Sequence, residues 1–359
     1  MSRLWILSVV TLSFLGAGHA GAQGCLPNCS LTASEYLVRE DCSGLNAGQN
    51  CFESLADLTG VWTSIQDTPT YPNVCSGCST GWLWSDRAPS ESDPVTVDIG
   101  PGDFETMVCP ENTSGALFGH VHFKGSGIEV TRVGVAAGAL ERNGINMRGC
   151  EGIHVSDLTA IGHTTGVLWT GKGDGVWDRV NMLAVNEGNK YISGWTDNCD
   201  EFGSSDLSYH VLHGVTSAAY LEDTFAASSP VGYSANCSKT WFDDGSIISR
   251  SDGGKPNAIG LKVHNHSSRS VEFIVAHSTI EVRIEEVSTV AGNATGLHAL
   301  ATGQSPLVML KGTSIEVKAA VGESISASAV GIDGGNLADF RVKTMISVDA
   351  SGTATEIVP

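Results

Sequence analysis

Charged pairs recur along the middle of this chain: Ser156-Asp157, Asp178-Arg179, Glu222-Asp223 and Asp243-Asp244. Asp174, Asp197, Asp200 and Glu201 lie in the same stretch. Carboxylates held close together repel one another unless solvent, protons or a divalent ion stands between them. If folding brings these pairs side by side, Asp174, Asp178, Arg179, Asp243 and Asp244 are the candidate catalytic groups. Asp197, Asp200 and Glu201 are the candidate metal ligands, and a hard cation such as Ca²⁺ suits an all-oxygen set. Trp169, Trp177, Trp195, His210 and His213 supply rings in the same region and are the candidate ligand-binding side chains. The plainer alternative is that the charged pairs are turn residues facing water.

What would hold these residues is written in a repeat. Glycine followed by an apolar residue occurs at Gly232-Tyr233, Gly260-Leu261, Gly296-Leu297 and Gly331-Ile332. Each pair is followed by a β-rich run: Trp241 to Ser249, Phe273 to Val282, Leu307 to Val317 and Phe340 to Val348. Self-similarity at such a spacing marks a stacked architecture. Upstream, Gly144-Ile145 and Gly166-Val167 open a shorter version, with second runs at Gly152 to Leu158 and Gly175 to Val180. Alternate aliphatic residues then form inward ladders, burying a core that no single coil could bury. With coils about 4.8 Å apart, the charged pairs would align as a ledge on one face. Gly188 to Gly214 breaks the rhythm, and Trp195 to Glu201 reads as a loop leaving the stack.

Ile99-Gly100-Pro101-Gly102-Asp103-Phe104 is a strand running into a Pro-Gly turn, and Phe123 to Val133 is a strand followed by Gly125-Ser126-Gly127 and Thr131-Arg132-Val133. With the repeats, this resembles the right-handed parallel β-helix superfamily, the pectate lyase and pectin methylesterase group, over roughly residues 94–350. The resemblance implies an all-β, right-handed parallel β-helix (a β-solenoid). Were the activity shared with pectate lyases, Ca²⁺ would bind a uronate and an arginine would remove a proton. Arg148 and Arg179 match that arginine by type only. The enzyme signatures are missing: Gln66-Asp67 lies outside the coils, Asp243-Asp244 follows His213-Gly214, and neither Asn-Thr-Asp nor Arg-Ile-Lys occurs.

Composition agrees with a β-rich, turn-rich chain: 43 of 359 residues are Gly and only 16% are charged, so tight turns outnumber the charged faces that helical enzymes carry. Met1 to Ala22 reads as an export signal, with Arg3, an apolar core from Leu4 to Ala17 and Ala20-Gly21-Ala22 as the cleavage site. That core is too short to span a bilayer. The expected division is a signal over 1–22, a cysteine-rich N-terminal cap over 23–93 and a parallel β-helix over 94–359. A net charge of −19 excludes nucleic acid as the expected partner, because phosphate binding needs clustered Lys and Arg. No membrane insertion is expected after signal removal.

All ten cysteines lie between Cys25 and Cys237, which in an exported chain predicts disulfides in the N-terminal portion. Cys75-Ser76-Gly77-Cys78 is read the same way rather than as a zinc site. Cys51 to Leu58 has apolar residues at the spacing of a short capping helix. Trp82 and Trp84 are either a sugar-stacking pair or packing for the cap. His120/His122 and His264/His266 each resemble two arms of a metal clip lacking a third ligand. Asn28, Asn112, Asn236, Asn265 and Asn293 open glycosylation triplets.

The expectation that follows is a secreted or cell-surface β-helix protein that binds a polysaccharide or cell-surface glycan without catalysis. The alternative is a lyase or hydrolase of an acidic polysaccharide, Ca²⁺-dependent, with its site between Gly144 and Asp244.

Overall fold

Glycine followed by a residue that points inward recurs in seven successive coils, from Gly144-Ile145 to Gly331-Ile332. The computed structural model describes residues 35–45, 51–55, 90–108, 118–148, 150–170, 173–186, 192–198, 207–221, 229–252, 257–265, 271–287, 292–301, 306–321, 327–333, 339–350 and 353–355. They form a parallel β-helix of three faces. The first face is a nine-stranded parallel sheet running in chain order from Met107–Val108 through Asn143–Arg148, Thr165–Thr170, Ile192–Asn198, Pro230–Ala235, Asn257–Asn265, Gly292–Ala301 and Ala327–Asp333 to Thr353–Thr355. The second and third faces are two halves of one larger sheet, bent over a shared corner. Strands Ile153–Gly162, Gly173–Asn186, Leu307–Val321 and Asp339–Ala350 run through that corner, whereas Ser208–His213 and Thr216–Leu221 stand on either side of it.

The glycine column explains the repeat. Residues flanking it are in register from coil to coil, Val231 with Ile259 with Thr295 with Val330, and Tyr233 with Leu261 with Leu297 with Ile332. The glycine between them is skipped by the ladder at every step, because the chain bends there against the third face. A Cβ on Gly260 would lie 2.6 Å from the Gly296 carbonyl oxygen and 2.6 Å from Ile280 Cγ2. No side chain fits such an approach without displacing backbone.

The second signature is the corner, which is turned by a single left-handed residue in six successive coils: Asp157, Arg179, Gly214, Asp244, His277 and Gly312, with φ between 48° and 62°. Left-handed backbone costs a non-glycine residue about 1 kcal/mol, and Asp tolerates it best after Gly and Asn. Side-chain direction can be counted back from this corner. Two residues before it, Val155, Trp177, Leu212, Phe242, Val275 and Leu310 point inward and are buried. Three residues before it, His154, Val176, Val211, Trp241, Ile274 and Met309 face outward.

Three expectations need correction. Trp195 to Asn198 is no protruding loop: it lies in strand Ile192–Asn198, which pairs with Thr165–Thr170 and Pro230–Ala235, so Gly194-Trp195 is one more copy of the repeat. The ladder also begins earlier than residue 94, since Glu35–Val38 pairs in parallel with Val95–Ile99. Cys51–Phe52, where a helix was expected to start, is a strand in register with Leu37 and Val38, and the first helical residue of that stretch is Leu55. The Cys42–Cys51 disulfide closes the connection between these two strands. Cys150 and Cys237 are also disulfide-bonded, and no described cysteine is free. The expected signal, Trp82, Trp84 and Cys75 to Cys78 lie outside the described residues. No helix among the described residues is long and apolar enough to cross a membrane.

Candidate functional site

The corner and its neighbours hold the charged pairs, and the register says which of them meet. Lys124, Ser156, Asp178, His213, Asp243, Ala276 and Lys311 form one column on the outside of the second face. Asp174 stands four residues before Asp178 on the same strand and accepts the Gly152 N–H at 2.8 Å. Asp178 and Asp243 therefore share a column with His213 between them, two coils and about 10 Å apart. That separation is too wide for both to ligate one cation at the 2.3–2.6 Å that Ca²⁺ requires. Among the described residues no group of three or more His, Cys, Asp and Glu is arranged to hold a metal. Asp200, Glu201, Glu222 and Asp223 lie outside the described residues, as does the side chain of Arg148.

Arg179 is engaged. Its Nε and Nη2 donate to the two Asp157 carboxylate oxygens at 2.7 and 2.9 Å, and Nη1 lies 2.5 Å from Asp178 Oδ2. The hydrogen bond from Arg179 holds the Asp157 carboxyl below its usual range, and the same bond with the two carboxylates raises the guanidinium further. Both effects favour the charged pair, so Arg179 has no tendency to become the neutral base that proton removal needs. In the next coils Asp243 Oδ1 lies 3.0 Å from His277 Nδ1, and Asp244 turns the corner.

Trp169, Trp177, Trp195 and His210 are not on the surface. All four are 0–1% exposed and fill the interior of the central coils, because each falls on an inward position of its strand. Trp195 stacks on Tyr233 with centroids 5.4 Å apart, and Trp177 meets Trp195 edge-on at 5.1 Å. His210 sits edge-on to Trp169 and Trp195 at 4.6 and 4.9 Å. Gly175, in register with His210, leaves room for these rings: a Cβ there would lie 2.9 Å from Trp177 Nε1. The three indole N–H groups and both His210 ring nitrogens have no hydrogen-bond partner among the described residues. Burial alone lowers the His210 pKa to about 3, keeping the ring neutral. None of these rings is open to a ligand from solution.

Asp197 is likewise turned inward. Its Oδ1 accepts the backbone N–H of Asn236 and that of Cys237, the latter at 3.2 Å, and Asn236 Nδ2 donates to its carbonyl at 2.6 Å. Burial raises its pKa to about 6, against the lowering effect of Ser238, Asn236 and Cys237. Its observed task is to tie the first face to the turn that leads into the second. Asn236 is thereby occupied and Asn265 is buried, whereas Asn293 is exposed.

The outward positions that sequence spacing did not single out form the continuous feature. Eight large apolar side chains are exposed among the described residues, and four of them, Val176, Tyr209, Val211 and Trp241, lie on three consecutive strands of the second face. Single exposed apolar residues are ordinary, whereas a contiguous group marks a contact surface. Val176, Val211 and Trp241 occupy one column, which continues to Ile274 and Met309 in one direction and to His154 and His122 in the other. His122 and His154 stack with centroids 3.9 Å apart, nearly parallel. Burial and the neighbouring ring lower the His122 pKa to about 4. Tyr209, one strand from Trp241 and two residues along, is 56% exposed. The signal that finds this strip is the count from the corner: Trp241 is three before Asp244, Trp177 two before Arg179.

Comparison of the chain with family models, with curated proteins and with solved structures finds no match.

Proposed function

We propose that this protein is an exported, non-catalytic β-helix module that binds an extended glycan along its second face. The observation that carries this reading is the contiguous outward strip at Val176, Tyr209, Val211 and Trp241. Flat, rigid β-surfaces that present Trp and Tyr give large contact area at little cost in side-chain entropy. Sugar rings offer C–H faces to such side chains and hydroxyls to polar groups beside them, here Asp178, His213 and Asp243. Export is supported by the signal-like first 22 residues and by disulfides, which persist in oxidising compartments. Likeness to the pectate lyase group is one of coil architecture, and architecture does not carry activity. A lyase reading is disfavoured because Arg179 is bound by two carboxylates.

The test is a glycan panel probed by calorimetry with wild type, Trp241→Ala and Tyr209→Ala. Binding by wild type that is lost in Trp241→Ala supports the assignment. Incubation with polyuronates, with and without Ca²⁺, is the opposing arm. Unsaturated products or new reducing ends, abolished by Asp178→Asn or Asp244→Asn, would replace the proposal with an enzyme.

A further inference from the structure

Resting on the glycan reading, we infer that the strip takes a polymer of free amino sugars, lying along the solenoid axis, rather than an acidic polysaccharide. Two observations lead there. The first is direction. The outward column His122, His154, Val176, Val211, Trp241, Ile274 and Met309 runs across the strands, one side chain per coil. Successive side chains are about 4.8 Å apart, close to the length of one pyranose unit in an extended chain. A linear glycan laid on this column meets an equivalent position at every sugar.

The second observation is charge. Over the coils from His154 to Ile274, the strip is flanked by Asp174 and Glu272 on one side, by Asp178 and Asp243 on the other, and by Asp157 and Asp244 at the corner beyond. The cations among them are Lys239 and Arg179, and both are already paired: Lys239 Nζ with Glu272 at 2.8 Å, Arg179 with Asp157 and Asp178. His213 and His277 stand beside Asp243, and Lys124 and Lys311 bracket the column at its two ends. Six carboxylates against two paired cations leave a negative border along the apolar strip, on a chain of net charge −19. A polyuronate would bring its own carboxylates against this border. A polymer carrying ammonium groups would place them at Asp174, Asp178 and Asp243, with its ring faces on Val176, Val211 and Trp241. Complementary charge at the rim of a contact steers association and rejects the wrong partner.

The experiment compares four 1,4-linked hexamers, β-linked for glucosamine, N-acetylglucosamine and glucose and α-linked for galacturonate, in calorimetry at mildly acid pH and low salt. The glucosamine hexamer should bind about tenfold more tightly than the neutral ones, an advantage that added salt removes. Asp178→Asn with Asp243→Asn should erase that advantage, weakening the glucosamine hexamer far more than the neutral ones. Trp241→Ala should lose all binding and Trp241→Tyr should keep most of it, with melting curves confirming that each variant is folded. Equal binding of neutral and amino hexamers, or tighter binding of galacturonate, would overturn the inference while the glycan reading stands. Binding of none would overturn both. So would a wild-type dimer that Trp241→Ala dissociates, since the strip would then be a self-association surface.

Discussion

The coils between Thr165 and Asp243 and those between Asn257 and Ala319 share one backbone and have opposite fillings. The central coils are packed with Trp169, Trp177, Trp195, His210, Tyr233 and Phe242, and the indole and imidazole nitrogens find no partners among the described residues. The later coils are packed almost wholly with Leu261, Val263, Val275, Ile280, Val282, Leu297, Leu310, Ile315 and Val317. The glycine bend and the left-handed corner are the same in both. In a solenoid each coil contacts only its neighbours, so the filling can change chemistry locally while the ladder continues. The coils with the polar interior also carry Tyr209 and Trp241 outside. The aliphatic coils are the platform, and the aromatic coils are where the surface departs from it.

The largest test of that contrast is Ile315→Asp in the aliphatic half. Ile315 is 1% exposed in an inner column with Ile280, and an unpaired buried carboxylate there should cost about 4 kcal/mol or more. A variant that melts with the parent would show that this half is not the dry core described.

The polar half should instead show opposing pH dependences. Asp197 has its folded pKa raised to about 6 from 3.8, so its contribution is full below pH 3.8 and is lost as pH rises through 6, roughly 3 kcal/mol in all. His210 has its folded pKa lowered to about 3 from 6.5, so its contribution is present above pH 6.5 and is lost as pH falls through 3. Compared with wild type, His210→Leu should lose stability more steeply as pH rises from 4 to 6, and Asp197→Asn less steeply. Denaturant melts across this range measure both, and parallel curves for the three proteins would remove the assignment.

Gly260→Ala should cost about 2 kcal/mol, by overpacking the bend, and should do so equally at Gly166 in the aromatic half. Unequal costs would mean that the two halves do not share the bend. The smallest effect expected is His210→Leu at neutral pH, within about 1 kcal/mol of wild type, because replacing a buried group whose nitrogens are unpaired removes a penalty along with the ring. A loss as large as that of Ile315→Asp would show that His210 is bonded through partners beyond the described residues.

Much of the fold was legible in sequence for a physical reason: the bend admits glycine and nothing larger, so Gly232, Gly260, Gly296 and Gly331 stand out. Gly194 escaped because Trp195 is followed by Thr196, Asp197 and Asn198, a polar run that reads as a loop, and a strand was therefore taken for one. The site was less legible. Asp178 and Asp243, aligned on one ledge from sequence, do share a column, whereas His213 between them was not foreseen there and the tryptophans lie inside. A strand with apolar residues at both parities, such as Ser208 to His213, does not declare which side is inner. Only its distance from the left-handed corner decides, and that corner is occupied by Asp, Arg, His or Gly without a common letter.

The glycine bend has a consequence for length. Because Val231, Ile259, Thr295 and Val330 follow one another in the ladder just before each bend, a segment cut from one glycine to the residue before the next is a whole rung. Joining Ile259 directly to Gly296 would shorten the molecule by about 4.8 Å. It would bring Leu297 against Tyr233 in the column that Leu261 now fills. The molecule is thus countable in indivisible steps, and its reach along a partner can be altered one step at a time without recutting any face.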